Sequence, residues 1–129
     1  MNSDLKEAIA TFNRGRYFDA AEQFERAIAT ADTEFKEMVG ALNRVAAALH
    51  LRFHRGGRQA SINLLSQAML TLEDFKPARA GVDVERLYAE LSAYTDELRA
   101  SPRDELTGIK RGARLFIERR RAPRIRVTA

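Results

Sequence analysis

The sequence predicts an all-α protein: a compact bundle of five or six helices arranged as antiparallel hairpins, with an Arg-rich C-terminal extension. Three observations lead there. Apolar side chains return every third or fourth position from Leu5 to Leu98, the period of helices that bury one face. Gly and Pro punctuate these stretches at Gly15, Gly56-Gly57, Pro77 and Pro102. A length of 129 residues, with 45% apolar and 31% charged side chains, suits one globular core.

Leu5, Ala8, Ile9 and Phe12 share one face of a first helix over 3–14, with Ser3 as its N-cap. Arg14-Gly15-Arg16 breaks that helix, and Tyr17, Ala20, Phe24, Ala27 and Ile28 restart the period as far as residue 30. So short a link makes the two helices antiparallel neighbours, with Phe24 filling the space beside the small Ala20 and Ala27. Asp32-Thr33 caps a third helix over 33–55, striped by Phe35, Met38, Val39, Leu42, Val45, Ala46, Leu49 and Phe53. Around Val45–Leu49 it is apolar on every side, which places it centrally. Arg55-Gly56-Gly57 ends it, and a fourth helix over 58–72 carries Ile62, Leu65, Ala68, Met69 and Leu72 on one face.

Glu73–Pro77 is a connector, because Pro77 cannot continue a helix and biases Lys76 away from helical angles. Asp83 caps a fifth helix that reaches residue 99, with Val84, Leu87, Leu91, Tyr94 and Leu98 facing the core. Ser101-Pro102 signals a sixth helix, weakened by Gly108 and Gly112 and stopped by Pro123. Arg124-Ile125-Arg126-Val127 alternates polar and apolar, as an extended segment that either lies against the body or trails from it. The chain thus divides into a helical domain over 1–100 and, over 101–129, a basic C-terminal helix with an extended tail.

The net charge of +4 is unevenly placed: residues 1–100 hold 13 Lys+Arg against 15 Asp+Glu, whereas residues 101–129 hold 9 against 3. Arginine's planar fork suits phosphate and carboxylate, so this segment is a candidate contact for nucleic acid or an acidic partner. The plainer reading lays these arginines over the mildly acidic body of their own domain, or leaves them as a solvated face. Phe116 is the only ring after Tyr94, whereas single-strand readers stack bases on several.

Composition also excludes much. Without cysteine there is no disulfide, thiolate metal site, Cys nucleophile or thiol redox chemistry. No run approaches the ~18 apolar residues that cross a bilayer, and the N-terminus lacks a basic-then-apolar leader, so the expectation is a cytoplasmic protein with no membrane partner. Ser61, Ser66 and Ser92 lack a nucleophile-elbow context, and Gly56-Gly57 lacks a P-loop lysine. No enzyme class and no cofactor follow.

Two segments match each other: Gly15-Arg16-Tyr17-Phe18-Asp19-Ala20 leading to Phe24 and Ala27, and Gly56-Gly57-Arg58-Gln59-Ala60 leading to Leu65 and Ala68. Their spacing is similar to the tetratricopeptide pattern of Gly, aromatic, Ala, large apolar and Ala. A closer resemblance covers most of the chain. Phe12–Ala20, Arg55–Leu65, Phe75-Lys76-Pro77 and Gly81-Val82-Asp83 resemble, in order and spacing, the prokaryotic domain-of-unknown-function family 309. The resemblance implies an all-helical domain of tetratricopeptide-like hairpins and no established activity. It also implies that the family's His-Glu pair is altered, Ala21-Glu22 standing where the His-Glu would be, with Glu25 as the further acid.

Candidate site residues come from helix geometry. His50 and His54, four apart, project from neighbouring turns and can share a metal if a carboxylate joins them. Asn43 lies on the same flank, where a neighbouring helix can bring Glu22 or Glu25 near for acid/base work. The plainer reading of Glu22 is a surface pair with Arg26, four residues on. Asn13, Glu22, Glu25, Asn43, His50, His54, Arg119, Arg120 and Arg121 form the expected interaction surface. The expected function is a non-catalytic module binding an unidentified protein or peptide in a groove between hairpins. The alternatives are nucleic-acid association through residues 110–126 and a small metal-dependent or acid/base activity.

Overall fold

A computed structural model describes residues 2–55, 57–100 and 108–128. Its order is α1 (Ser3–Asn13), α2 (Tyr17–Thr30), a 3-10 turn (Thr33–Phe35), α3 (Lys36–Arg55), α4 (Gln59–Leu72), a second 3-10 turn (Glu73–Phe75), β1 (Ala78–Arg79), β2 (Val82–Asp83), α5 (Val84–Ala100) and α6 (Gly108–Arg120). The all-α bundle is therefore what the chain forms, with only a two-stranded ribbon added among the described residues. Each of the first five helices packs on its neighbours in sequence, and α3 lies between α2 and α4.

The core is made of the faces that the period selects. Leu5, Ala8, Ile9 and Phe12 are buried on α1, and Tyr17, Ala20, Phe24 and Ala27 on α2. Edge-to-face contacts join Phe12 to Tyr17 at 5.2 Å and to Phe24 at 6.4 Å. Helix α3 buries Met38, Val39, Ala41, Leu42, Val45, Ala46, Ala48 and Leu49, more than one side of a helix, as its central place requires. Val84, Leu87, Leu91, Tyr94 and Leu98 are all buried on α5.

Several local expectations are corrected. The N-cap of α1 is Asn2, not Ser3: the Asn2 Oδ1 accepts from the Asp4 and Leu5 amides at 2.8 and 3.2 Å. Either residue type can cap, and the helix here begins one place earlier than Ser3 as cap would set it. The third helix proper starts at Lys36, since Thr33–Phe35 winds as a 3-10 turn and the Asp32 side chain makes no capping bond. The fifth is capped as expected, the Asp83 Oδ1 accepting from the Arg86 amide at 3.0 Å. At its far end the Arg58 guanidinium donates to the Leu98 and Arg99 carbonyls at 2.8 and 2.7 Å, satisfying orphan acceptors of the last turn. The expected start of the sixth helix at Ser101-Pro102 lies outside the described residues.

The connector after α4 holds a feature the period does not announce. Ala78–Asp83 is a tight hairpin, Ala78 opposite Asp83 and Arg79 opposite Val82. Ala80 and Gly81 both take positive φ, 50° and 80°, as a two-residue primed turn demands. Val82 is buried and forms an isolated antiparallel bridge to Val127, so the C-terminal segment lies along the ribbon's open edge.

Helix α6 is tied down by an ion pair. Arg52, on the buried side of α3, donates from Nε and Nη2 to the two carboxylate oxygens of Glu118 at 2.8 and 3.1 Å, with both side chains about 5% exposed. Beside them, burial raises the Tyr94 phenol's pKa, and the charge of the Glu118 carboxylate and its nearness to the hydroxyl raise it further, although the two fall short of full hydrogen-bond geometry. A buried hydroxyl without a bond carries an uncompensated desolvation cost. Tyr94→Phe is expected to leave stability unchanged or raise it by up to about 1 kcal/mol in urea unfolding, because it removes that cost and keeps the ring. A loss greater than that would show that the hydroxyl is bonded in solution.

Candidate functional site

Two regions gather the chemistry-bearing side chains: a groove filled by the C-terminal segment, and an open cleft at the start of α2. In the groove, Asn13 closes α1 and its amide clamps Ile125 from both sides, Nδ2 donating to the Ile125 carbonyl at 2.7 Å and Oδ1 accepting from the Ile125 amide at 2.9 Å. Ile125 itself is buried. The Asp83 amide donates to the Arg126 carbonyl at 2.9 Å and the Thr128 amide to the Gly81 carbonyl at 2.8 Å. Glu90, on α5, accepts from the Arg124 amide and the Arg126 guanidinium, both at 3.3 Å. Pro123 is buried at the turn out of α6. Of the two expected courses, residues 124–127 take the one laid against the body.

The cleft has a volume of about 500 Å3 and lies where α2 begins, α3 ends and α6 passes. Gly15 shapes its floor: φ of +79° is the left-handed region that side chains resist, and a Cβ there would sit 3.4 Å from the Arg119 guanidinium. Arg119 donates to the Gly15 carbonyl and lies 5.6 Å from the ring centres of both Tyr17 and Phe53, which stack on each other at 5.8 Å. The wall is a row of rings: Phe18 is 5.2 Å from His50, and His50 is 4.5 Å from His54. Phe18 is 56% exposed, unusual for so large an apolar side chain. On the rim, Arg16 pairs with Asp19 at 2.8 Å.

Burial lowers the pKa of His50, and the neighbouring His54 and Arg55 lower it further. Folding therefore resists protonating His50. The unfolded chain binds that proton more readily, so this residue subtracts stability as pH falls through the ordinary imidazole range and nothing above it.

The expected surface residues part company in the structure. His50, His54 and Arg119 meet at the cleft, and Asn13 belongs to the groove. Asn43 is structural, its Nδ2 donating to the Ala21 carbonyl at 2.7 Å and tying α3 to α2. Glu22 and Glu25 are exposed on α2 and do not line the cleft, and no ion pair joins Glu22 to Arg26 among the described residues. The two histidines gain no carboxylate: among the described residues no group of three His, Asp or Glu is placed to hold a metal ion. Arg120 is exposed over the Phe116 ring, whereas Arg121 pairs with Glu97 at 3.3 Å. Arg119, Arg121 and Arg126 are thus all turned to their own body.

Phe18, Arg52, Glu90 and Glu118 lie outside the expected set of surface residues. The first two carry a readable signal. Phe18 falls off the period that buries Tyr17, Ala20 and Phe24, and Arg52 falls on the period that buries Leu42, Val45 and Leu49. No helix among the described residues is long and apolar enough to cross a membrane. No protein-family model, curated protein or solved structure matches the chain.

Proposed function

We propose that this chain is a non-catalytic cytoplasmic module that binds an extended peptide of a protein partner in the groove bordered by Asn13, the β1–β2 ribbon and Glu90. One observation carries the reading: the groove already holds an extended peptide, the chain's own residues 124–128, mainly through its main chain. Adding a strand to a ribbon edge is a general mode of peptide capture, in which backbone bonds give affinity and a socket for one side chain gives selectivity. Here the socket takes Ile125, and Glu90 favours a cation one residue later. The tail arginines that face their own domain weigh against the nucleic-acid reading. A shared ancestry with family 309 is proposed as well, because Asn13, Gly15 and Gly81 of the resembling segments stand at turns and contacts that shape both regions.

The test uses the full chain carrying Ile125→Asp, which puts a charge in the socket and releases the resident strand. A labelled peptide of residues 121–129 should then bind saturably at one per chain, and at least about tenfold more weakly to the unaltered chain, whose own tail competes at high effective concentration. A folded variant that ignores the peptide would overturn the proposal. Binding of single-stranded nucleic acid that collapses with salt, and is indifferent to Ile125→Asp, would put the alternative in its place.

A further inference from the structure

The geometry points to a second binding site, independent of the peptide groove: the cleft between the start of α2, the end of α3 and α6 takes a small aromatic oxyanion, its ring against Phe18 and His50 and its charged group on Arg119. Size, surface and charge each favour this class. A volume of about 500 Å3 falls within the roughly 300–1,000 Å3 of small-molecule sites. One wall is a ring ledge, Phe18–His50–His54, whose outermost member is left more than half exposed. Flat rings stack on such ledges at the 4.5–7 Å spacing that already separates its members.

The charges facing the cleft are unbalanced. At the start of α2, Arg16 and Asp19 neutralise each other at 2.8 Å. On α3 stand His50 and His54, and on α6 stands Arg119. Arg119 donates to a neutral carbonyl, and no carboxylate pairs with it among the described residues. A guanidinium held 5.6 Å from two ring centres and bonded to the Gly15 carbonyl is already positioned, so an incoming oxyanion meets a placed fork. A neutral ring would leave that cation uncompensated, and a bare anion would leave the ledge wet.

The oxyanion is a carboxylate or a phosphate, and the probes separate the two. Benzoate, phenyl phosphate, inorganic phosphate and benzyl alcohol are titrated into the full-length chain while the Cε1–H resonances of His50 and His54 are followed by NMR. At least one of the two aromatic anions should shift both resonances saturably, at least about tenfold more tightly than inorganic phosphate or benzyl alcohol. The tighter of the two identifies the charged group. Because an anion beside an imidazole favours its protonated form, saturation should raise the His50 titration midpoint by roughly half a unit or more. Arg119→Gln should weaken binding about tenfold or more. Phe18→Ser, at an exposed position that leaves the core intact, should weaken it severalfold. No saturable shift with either aromatic anion, inorganic phosphate binding as tightly as phenyl phosphate, or affinity unchanged in both variants would each overturn the assignment.

Discussion

Glu118→Ala should lower the unfolding free energy by about 3–5 kcal/mol in chemical denaturation, the largest loss expected from any charged residue among those described. The reason lies in what it leaves behind. Arg52 is about 5% exposed, its Nε and Nη2 both committed to the Glu118 carboxylate, with the buried Tyr94 phenol beside the pair. Once the carboxylate is gone, a guanidinium that cannot deprotonate stays buried without the two bonds that offset its desolvation. The pair itself contributes less than its removal costs, since desolvating both ions offsets most of their attraction. The double change Arg52→Met with Glu118→Leu is therefore expected to recover most of the loss. A single variant that loses under about 1 kcal/mol would mean that water reaches Arg52. The consequence for function is positional: Glu118 precedes Arg119, so the bond that seats α6 also delivers the guanidinium to the cleft.

The same pair shows where a sequence speaks and where it does not. Helical faces are legible because burial repeats with the helix, and on α1 to α5 the buried residues recur three and four places apart. A charge is read by default as surface. Glu118 sits in a run of arginines and announces nothing, and Arg52 looks like one more cation near a helix C-terminus until its place on the Leu42–Leu49 stripe is noticed. The ribbon was illegible for another reason. Ala78-Arg79-Ala80-Gly81 lacks β-branched residues, and an alanine rather than Asn or Asp occupies the first positive-φ position, so the usual hairpin signal is missing. Its bridge partner lies more than forty residues away at Val127, and pairing over that distance leaves no local pattern. The cleft was half legible: the histidine spacing pointed to the flank of α3, but Phe18 and Arg119 reach it only through the packing of α2 and α6.

Phe24→Ala should cost about 3–5 kcal/mol, and Phe18→Ala on the same helix no more than about 0.5 kcal/mol. The two rings are six residues apart in chemically similar sequence, so the contrast isolates burial. Phe24 is wholly buried, touches Phe12 edge to face and stands where α2 meets both α1 and α3. Truncating it removes the ring's transfer energy and opens a void that cannot readily close. On one side the α1–α2 link is fixed by Gly15 and the Arg14 and Gly15 amides bonded to the end of α1; on the other Asn43 pins α3 to the Ala21 carbonyl. Phe18 leaves only a little ring contact with His50 when it goes, and its place is already half water. Equal small losses at both positions would mean that α1 swings in to fill the gap. In that event Asn13 would move with it, and the Ile125 clamp should weaken in step, which faster exchange of the Ile125 amide would report.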